Sequence, residues 1–188
     1  DIGTIIQPNV FIGNNVSIGK NCLIHPNVSI YDNSIIGDNV VIHSNTVLGA
    51  DAFYYKKKAE GFDQLISVGR VVLKDNVHIG ASCTIDKGVT GDTTVGIGTK
   101  IDNQVHIGHD SIIKDQVVIA NGVQLGGHVE LDFGVVIGGM TAIQQFCRVG
   151  TMAFVGGTLK ADRDVPPYSK ALGNPLSWAG LNQKALEK

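Results

Sequence analysis

The sequence is poor in aromatic residues, cysteine and net charge. Only 6% of its 188 residues are aromatic, and its three cysteines show no Cys-x-x-Cys spacing. An odd number of cysteines without that spacing argues against a disulfide framework and against a cysteine zinc site. The 15 basic and 17 acidic residues nearly cancel, and the longest basic run is residues 56–58. We therefore expect no nucleic-acid partner.

Long apolar runs are missing as well. No stretch approaches the roughly 20 apolar residues that span a bilayer. The first ten residues, DIGTIIQPNV, lack the charged and apolar segments of a secretion signal. These absences favour a cytoplasmic protein without a membrane span. A chain of 188 residues that is 43% hydrophobic fits one domain with its own core.

The sequence is rich in glycine, with 24 residues, and in aliphatic residues at every sixth position. The six-residue period runs unbroken over residues 6–48, returns at 73–85, and resumes over 95–155. Glycine often follows the aliphatic residue directly, which suits a backbone that turns after each short strand. This period is typical of a parallel β-helix, in which each hexapeptide supplies one strand and one corner.

The sequence therefore predicts an all-β fold, a parallel β-helix of about seven coils over residues 1–163. Three hexapeptides complete one coil, so residues eighteen apart in the chain stack on each other. The aliphatic ladder would fill the interior. Cys22, Cys83 and Cys147 each stand two residues before an aliphatic position, so we interpret them as core residues. None of the six histidines takes an inward position.

The period breaks at two places and then ends. Residues 50–66, ADAFYYKKKAEGFDQLI, contain the densest aromatic and lysine cluster and predict a loop that projects from the helix. Four extra residues within VTGDTT, 89–94, predict a bulging turn. After Val155 the period stops. Residues 164–188 predict an extended segment and a short helix from about Pro175 to the end.

The segment IDNQVHIGHD, residues 101–110, contains the candidate chemistry. His109 follows Ile107 by two residues and His128 follows Leu125 by three, while the two aliphatic residues are eighteen apart. The two rings should therefore lie on the same face, about 5–10 Å apart, because coils are spaced about 4.8 Å. His106 lies on that face too. Imidazole is suited to general-base catalysis, which requires no metal or other cofactor.

The motifs resemble two enzymes among the hexapeptide-repeat acyltransferases of lipid A biosynthesis. Residues 47–110 resemble the UDP-3-O-acylglucosamine N-acyltransferases in VLGADAFYY, VGRVVL, IGASCTIDKG and IDNQVHIGHD. Residues 105–182 resemble the UDP-N-acetylglucosamine O-acyltransferases in HIGHD, LGGH, IGGMTAIQQF, VGG, DVPPY, GNP and GLN. The resemblance implies a left-handed β-helix, a homotrimer with active sites between subunits, and an acyl carrier protein as partner.

The resemblance also assigns roles to individual residues. It makes His109 the general base, Asp110 the group that orients the imidazole, and Gly127 the source of the oxyanion-binding amide. Gln144 stands where the O-acyltransferases have a further histidine. Gly157 stands at the position that limits acyl-chain length, and glycine would leave room for a long chain. Substrate contacts are expected at His106, His128, Gln144, Gln145, Asp102, Gln104, Gly157, Phe53, Tyr55 and Asn182.

The expected reaction moves a 3-hydroxyacyl group from acyl carrier protein to the amine of a UDP-3-O-acylglucosamine-type acceptor. Asp110 favours the alternative, O-acylation of UDP-N-acetylglucosamine, because the N-acyltransferases usually have Asn there. A non-catalytic hexapeptide scaffold is an alternative of a different class. A zinc enzyme on the same prism would use His106, His109 and His128, but its histidine spacing differs and Asp110 has no place in it.

Overall fold

The computed structural model describes residues 1–187, and these form short strands with one short helix. Most strands are two residues long, which leaves four residues of each hexapeptide for the corner. In chain order the strands are β1 (Ile5–Ile6), β2 (Phe11–Ile12), β3 (Ser17–Ile18), β4 (Leu23–Ile24), β5 (Ser29–Ile30), β6 (Ile35–Ile36), β7 (Val41–Ile42), β8 (Val47–Ala50), β9 (Tyr55–Lys58), β10 (Gly61–Gln64), β11 (Arg70–Leu73), β12 (His78–Ile79), β13 (Thr84–Asp86), β14 (Asp92–Val95), β15 (Lys100–Ile101), β16 (His106–Ile107), β17 (Ile112–Ile113), β18 (Val118–Ile119), β19 (Gln124–Leu125), β20 (Glu130–Leu131), β21 (Val136–Ile137), β22 (Ala142–Ile143), β23 (Arg148–Val149), β24 (Phe154–Val155), β25 (Lys160–Ala161), β26 (Ser169–Leu172) and β27 (Ser177–Leu181).

The strands stack in three parallel sheets. The first contains β1-β4-β7-β12-β15-β18-β21-β24-β26, with β27 antiparallel at its edge. The second contains β2-β5-β8-β13-β16-β19-β22-β25, and the third β3-β6-β11-β14-β17-β20-β23. Apart from the insertion that holds β9 and β10 and the terminal pair β26 and β27, consecutive strands belong to different sheets. The chain therefore winds as a parallel β-helix, which confirms the predicted fold class.

The number of coils is about nine rather than the predicted seven. The prediction ended the ladder at Val155, but the stack continues beyond it. Ala161 pairs with Ile143, and Ala171 pairs with Val155. Both alanines are fully buried. These two strand positions were not predicted because alanine replaces the large aliphatic residue at each of them.

The interior is the predicted aliphatic ladder. Ile85 pairs with Ile107 and Ile107 with Leu125 in successive coils, and all three side chains are buried. Burial of one such side chain stabilises the fold by about 1.5–3 kcal/mol. The three cysteines are free and buried beside the ladder, as predicted.

The corners turn at a residue that the sequence interpretation overlooked. In the first coils an asparagine with positive φ follows each aliphatic position by three residues: Asn9, Asn15, Asn21, Asn27, Asn33, Asn39 and Asn45. Asparagine tolerates this left-handed conformation better than most residues. Gly13 serves a different purpose, because a β-carbon there would lie 2.7 Å from the Asp32 backbone nitrogen of the next coil. The expectation that such glycines make the turn was wrong.

The interruption at residues 50–66 contains an antiparallel hairpin, β9 paired with β10. It leaves the prism after β8 and returns at β11. The hairpin strands are exposed throughout. Its base, however, reaches the corner that follows β16, where the candidate site lies.

The C-terminal segment differs from the prediction. Residues of β27 pair with β26, with Trp178 opposite Ala171, and thereby cover the edge of the first sheet. The helix that was expected from about Pro175 begins only at Gln183 and extends to Leu186. Lys188, its predicted end, lies outside the described residues. Within residues 1–187 no helix is long and apolar enough to cross a membrane.

Candidate active site

His109 and Asp110 form the corner that follows β16. Asp110 has φ 57°, so it takes the left-handed position that asparagine occupies in the first coils. This backbone turn brings its carboxylate against the preceding side chain. His109 Nδ1 lies 2.8 Å from Asp110 Oδ2, and His109 is only 7% exposed. The corner therefore holds an imidazole–carboxylate pair of two adjacent residues.

The Asp110 carboxylate is held by the turn at residues 89–91, which is shorter than the predicted turn at 89–94 because β14 begins at Asp92. The backbone amides of Val89 and Gly91 donate to it at 2.8 and 3.1 Å, and the Asp110 amide donates to Thr93 Oγ1 at 2.9 Å. Burial alone would raise the pKa of Asp110, but the two amides and the His109 ring together bring it below its usual value. The predicted bulging turn thus fixes an ionised carboxylate beside the imidazole.

An ionised Asp110 determines which nitrogen of His109 acts. The carboxylate accepts a hydrogen bond from Nδ1–H, which leaves a lone pair on Nε2. That nitrogen faces Gly127 of the next coil, where a β-carbon would lie 2.5 Å from it. Only glycine leaves space there for a substrate atom to approach the base.

The backbone amide of Gly127 is also available to a ligand. Within residues 1–187 it donates no hydrogen bond. At the equivalent corner of the first coils, the Asn14 amide donates to Asp32 Oδ1 at 2.7 Å. The coil after Gly127 has Gln145 at that position, and its side chain does not accept this hydrogen bond. A free amide beside Nε2 is suited to stabilise a developing oxyanion.

His128 lies next to this pair. Its ring centroid is 5.1 Å from that of His109, as the eighteen-residue spacing predicted. Its Nε2 lies 3.8 Å from Asp110 Oδ2, and its ring stacks on Phe146 at 4.7 Å. Phe146 was not singled out from the sequence, although it occupies the same corner one coil further on.

A pocket of about 200 Å³ opens in front of the imidazole. It is lined by Tyr54, Val89, Thr90, His109, Asp110, His128, Gln145 and Phe146. Tyr54 comes from the chain between β8 and the hairpin, and its ring centroid is 6.0 Å from that of His109. The sequence had pointed to its neighbours Phe53 and Tyr55. Those two line a separate apolar cavity of about 520 Å³ with Tyr54 and Phe62.

A second polar group lies on the same face. His106 Nδ1 is 2.8 Å from Thr84 Oγ1, and its Nε2 is 3.8 Å from Asp86 Oδ2. Asp86 ends β13 in the preceding coil and is only 9% exposed. Burial raises its pKa, the charges of His106 and His109 oppose that rise, and Asp51 adds to it. Asp86 lies within the motif IGASCTIDKG, but it was not singled out as a site residue from the sequence.

Other predicted contacts lie outside the pocket within one chain. Asp102 and Gln104 stand at the corner that precedes β16, on the other edge of the second sheet. The Asn182 side chain donates to the Met152 carbonyl at 2.8 Å and so attaches the C-terminal segment to the prism. Of the ten predicted substrate contacts, only His128 and Gln145 line this pocket. The others are His106, Phe53, Tyr55, Asp102, Gln104, Gln144, Gly157 and Asn182.

The donor atoms of His109, Asp110 and His128 lie within 4.8 Å of one another, close enough for one metal ion. That trio contains a carboxylate and only two histidines. His106, the third ligand of the zinc alternative, contacts Thr84 instead. The proposed zinc set of three histidines is therefore not assembled within the described chain.

Similarities to known proteins support one family. The model of the family "Bacterial transferase hexapeptide (six repeats)" matches residues 15–50. The chain is 42% identical over 127 residues to the UDP-3-O-acylglucosamine N-acyltransferase of Methylorubrum extorquens (strain PA1), which covers 68% of this chain and 36% of that protein. It is 38% identical over 121 residues to the acyl-[acyl-carrier-protein]–UDP-N-acetylglucosamine O-acyltransferase of Aliarcobacter butzleri (strain RM4018), which covers 63% and 46% respectively.

Solved structures extend the similarity to the whole fold. The UDP-N-acetylglucosamine acyltransferase of Francisella novicida is 33% identical, with a TM-score of 0.78 over 98% of this chain and 69% of that one. The Campylobacter jejuni enzyme is 26% identical, with a TM-score of 0.73 over 100% and 77%. The matched part is about a third to a half of the curated relatives' length. The chain belongs to the hexapeptide-repeat acyltransferases and has their left-handed parallel β-helix.

Proposed function

We propose that the protein transfers a 3-hydroxyacyl group from acyl carrier protein to the amine of a UDP-3-O-acylglucosamine-type acceptor. The observation that supports acyl transfer most is the His109–Asp110 pair, with Nε2 directed at the Gly127 corner. The relatives that share 42% identity are named for this amine acceptor. The donor is inferred from the O-acyltransferase relatives, whose name includes the acyl carrier protein.

The proposed reaction requires a base and an oxyanion donor. The acceptor nitrogen attacks the thioester carbonyl, so a C–N bond forms and the C–S bond breaks. His109 takes a proton from the attacking nitrogen and returns it to the leaving thiolate, while Asp110 stabilises the imidazolium. The Gly127 amide donates to the carbonyl oxygen as negative charge develops. A positioned base contributes about 10²–10⁴-fold in rate, and one oxyanion donor about 10²–10³-fold.

Substrate would approach His109 through the pocket that His128, Gln145 and Tyr54 line. His106 lies on the same face, on strand β16 just before the corner that contains the base. The acyl chain would extend from this pocket toward apolar surface such as that of Phe53 and Tyr55. These contacts are part of the proposal, and each can be tested by the change in KM when the side chain is removed.

A homotrimer would bring the remaining predicted contacts to the substrate. Asp102, Gln104, Gln144, Gly157 and Asn182 lie away from the pocket in one chain, so they could reach a substrate bound at the seam between neighbouring prisms. Light scattering of the purified protein should give three times the chain mass. A monomer at micromolar concentration would contradict this arrangement.

The acceptor is tested directly by product mass spectrometry. The protein is incubated with a 3-hydroxyacyl carrier protein and either UDP-3-O-acylglucosamine or UDP-N-acetylglucosamine. We expect an amide product from the first acceptor and little from the second. Ester formation on the second alone would favour O-acylation instead. That alternative is supported by Asp110 and by the Francisella novicida neighbour. Carrier binding without any product would favour a scaffold.

A further inference from the structure

We propose that the Asp86 carboxylate binds the ammonium group of the acceptor sugar and so selects an amine over a hydroxyl at the acceptor position. The inference rests on the acyl transfer proposed above and names its acceptor chemistry. Asp86 has no role in the proton transfer that His109 performs with the support of Asp110. It belongs to the preceding coil, at the end of β13.

Asp86 is a nearly buried carboxylate without a hydrogen-bond donor. Its side chain accepts no hydrogen bond from any residue between 1 and 187, although the residue is only 9% exposed. Neither carboxylate oxygen is fully sealed from the surface. A buried acceptor that lacks a donor is costly for the fold. This combination is expected where a ligand supplies the missing donor.

The neighbours of Asp86 leave its charge incompletely balanced. His106 Nε2 is 3.8 Å away, beyond hydrogen-bonding distance. The charges of His106 and His109 act on the carboxylate, and Asp51 acts against its ionisation. Asp51 in turn is 2.7 Å from Lys87 Nζ, so that lysine is already paired. A cation would therefore gain from this position.

The register places Asp86 beside the reacting group. Ile85 pairs with Ile107, so the residue opposite Asp86 in the next coil is Gly108, which contributes no side chain. His109 follows it directly. An acceptor nitrogen held by Asp86 would thus lie on the same edge of the second sheet as the general base.

An ammonium and a hydroxyl make different demands on such a carboxylate. Both can donate one hydrogen bond, but only the ammonium adds a charge, and charge-assisted hydrogen bonds are about twice as strong as neutral ones. The bound ammonium must lose one proton to solvent before it attacks. It loses a second to His109 as the C–N bond forms, and that proton leaves with the thiol. A carboxylate that binds the charged form concentrates the correct acceptor at the site.

The test compares UDP-3-O-acylglucosamine with its analogue that has a hydroxyl in place of the amine. Calorimetric titration below the pKa of the sugar amine measures the affinity of each for the whole protein. We expect the native protein to prefer the amine by about 10- to 100-fold, the range for a hydrogen bond to a charged group. Asp86→Asn, which keeps the shape and removes the charge, should abolish that preference.

Two further variants make the outcome decisive. Asp86→Ser should lose the preference as Asp86→Asn does, and Asp92→Asn, at a carboxylate that pairs with Arg70 instead, should retain it. A folded Asp86→Asn protein that still prefers the amine would overturn the inference, as would a native protein without any preference. Absence of acyl transfer by the native protein, with the binding preference intact, would refute the proposed function and leave this binding role standing.

Discussion

The first coils and the middle coils share one backbone but differ in what stands at their corners. In the first coils His25 and His43 stack with centroids 4.5 Å apart and ring planes 9° apart. Burial and the neighbouring His25 both lower the pKa of His43. In the middle coils His109 instead meets Asp110 at 2.8 Å and His128 edge-on. The stacked pair therefore lacks the oriented carboxylate that the proposed general base uses.

The two regions differ in the segments that hold the corner side chains in place. Both regions use a residue with positive φ at the corner, asparagine in the first coils and Asp110 in the middle. In the described chain the middle coils, unlike the first coils, receive two additional segments, the turn at residues 89–91 and the chain around Tyr54. The periodic part of the chain provides a rigid stack, and the non-periodic part converts one corner of it into a site.

The largest effect is expected from removing the base. His109→Ala should lower kcat by about 10²–10⁴-fold, the contribution of a positioned general base. His43→Ala, its counterpart in the stacked pair, should change kcat by less than about twofold, because no substrate atom contacts it in the proposed mechanism. Steady-state kinetics of both variants, with the oligomer checked by light scattering, provide the measurement. Equal loss in the two variants would remove the functional distinction between the regions.

A smaller loss is expected from adding a side chain at the facing corner. In Gly127→Ala the new β-carbon would meet His109 Nε2 at 2.5 Å. It would displace the imidazole or the oxyanion, so kcat should fall by about 10²–10³-fold. Asn14→Ala, at the equivalent corner of the first coils, should leave kcat unchanged. Full activity of Gly127→Ala would show that substrate does not occupy the space between the two coils.

The smallest effect is on stability in acid. The pKa of Asp110 is lowered in the folded state, so its ionised form stabilises the fold above its unfolded pKa of about 3.9. That contribution is lost as the pH falls through the lower, folded value. Asp110→Asn should therefore be less stable than the native protein at pH 7, by roughly 1 kcal/mol or about 2–4 °C in Tm. The difference should shrink below pH 4 in thermal melts, and a constant difference would contradict the assignment.

The sequence was sufficient for the parts of the molecule that repeat. The six-residue period predicted the coils and placed His109 next to His128, because stacking follows from the spacing alone. The period failed to predict the inward positions that hold alanine instead of a large aliphatic residue, namely Ala161 and Ala171. The sequence also contains the corner asparagines at a spacing of six. This signal would have identified the turning residue more directly than the glycines.

The sequence was insufficient for groups that depend on how the insertions fold back. The Val89 and Gly91 amides are backbone groups, so residue types alone do not predict their hydrogen bonds to Asp110. Tyr54 could not be distinguished from Phe53 or Tyr55 without the path of the hairpin. The unpaired carboxylate of Asp86 could not be predicted, because the sequence does not show that no side chain within residues 1–187 donates a hydrogen bond to it. These features arise from three-dimensional contacts between segments that have no common period.

The turn at residues 89–91 adds length to one corner without disturbing the coils on either side. Leu73 still pairs with Val95, and Val95 with Ile113. Each coil contacts only its neighbours, so a change in length stays local to the corner that contains it. Corners of this kind are natural points for variation. A different turn at this corner would change the groups that hold Asp110, while the pairing of the remaining coils would stay the same.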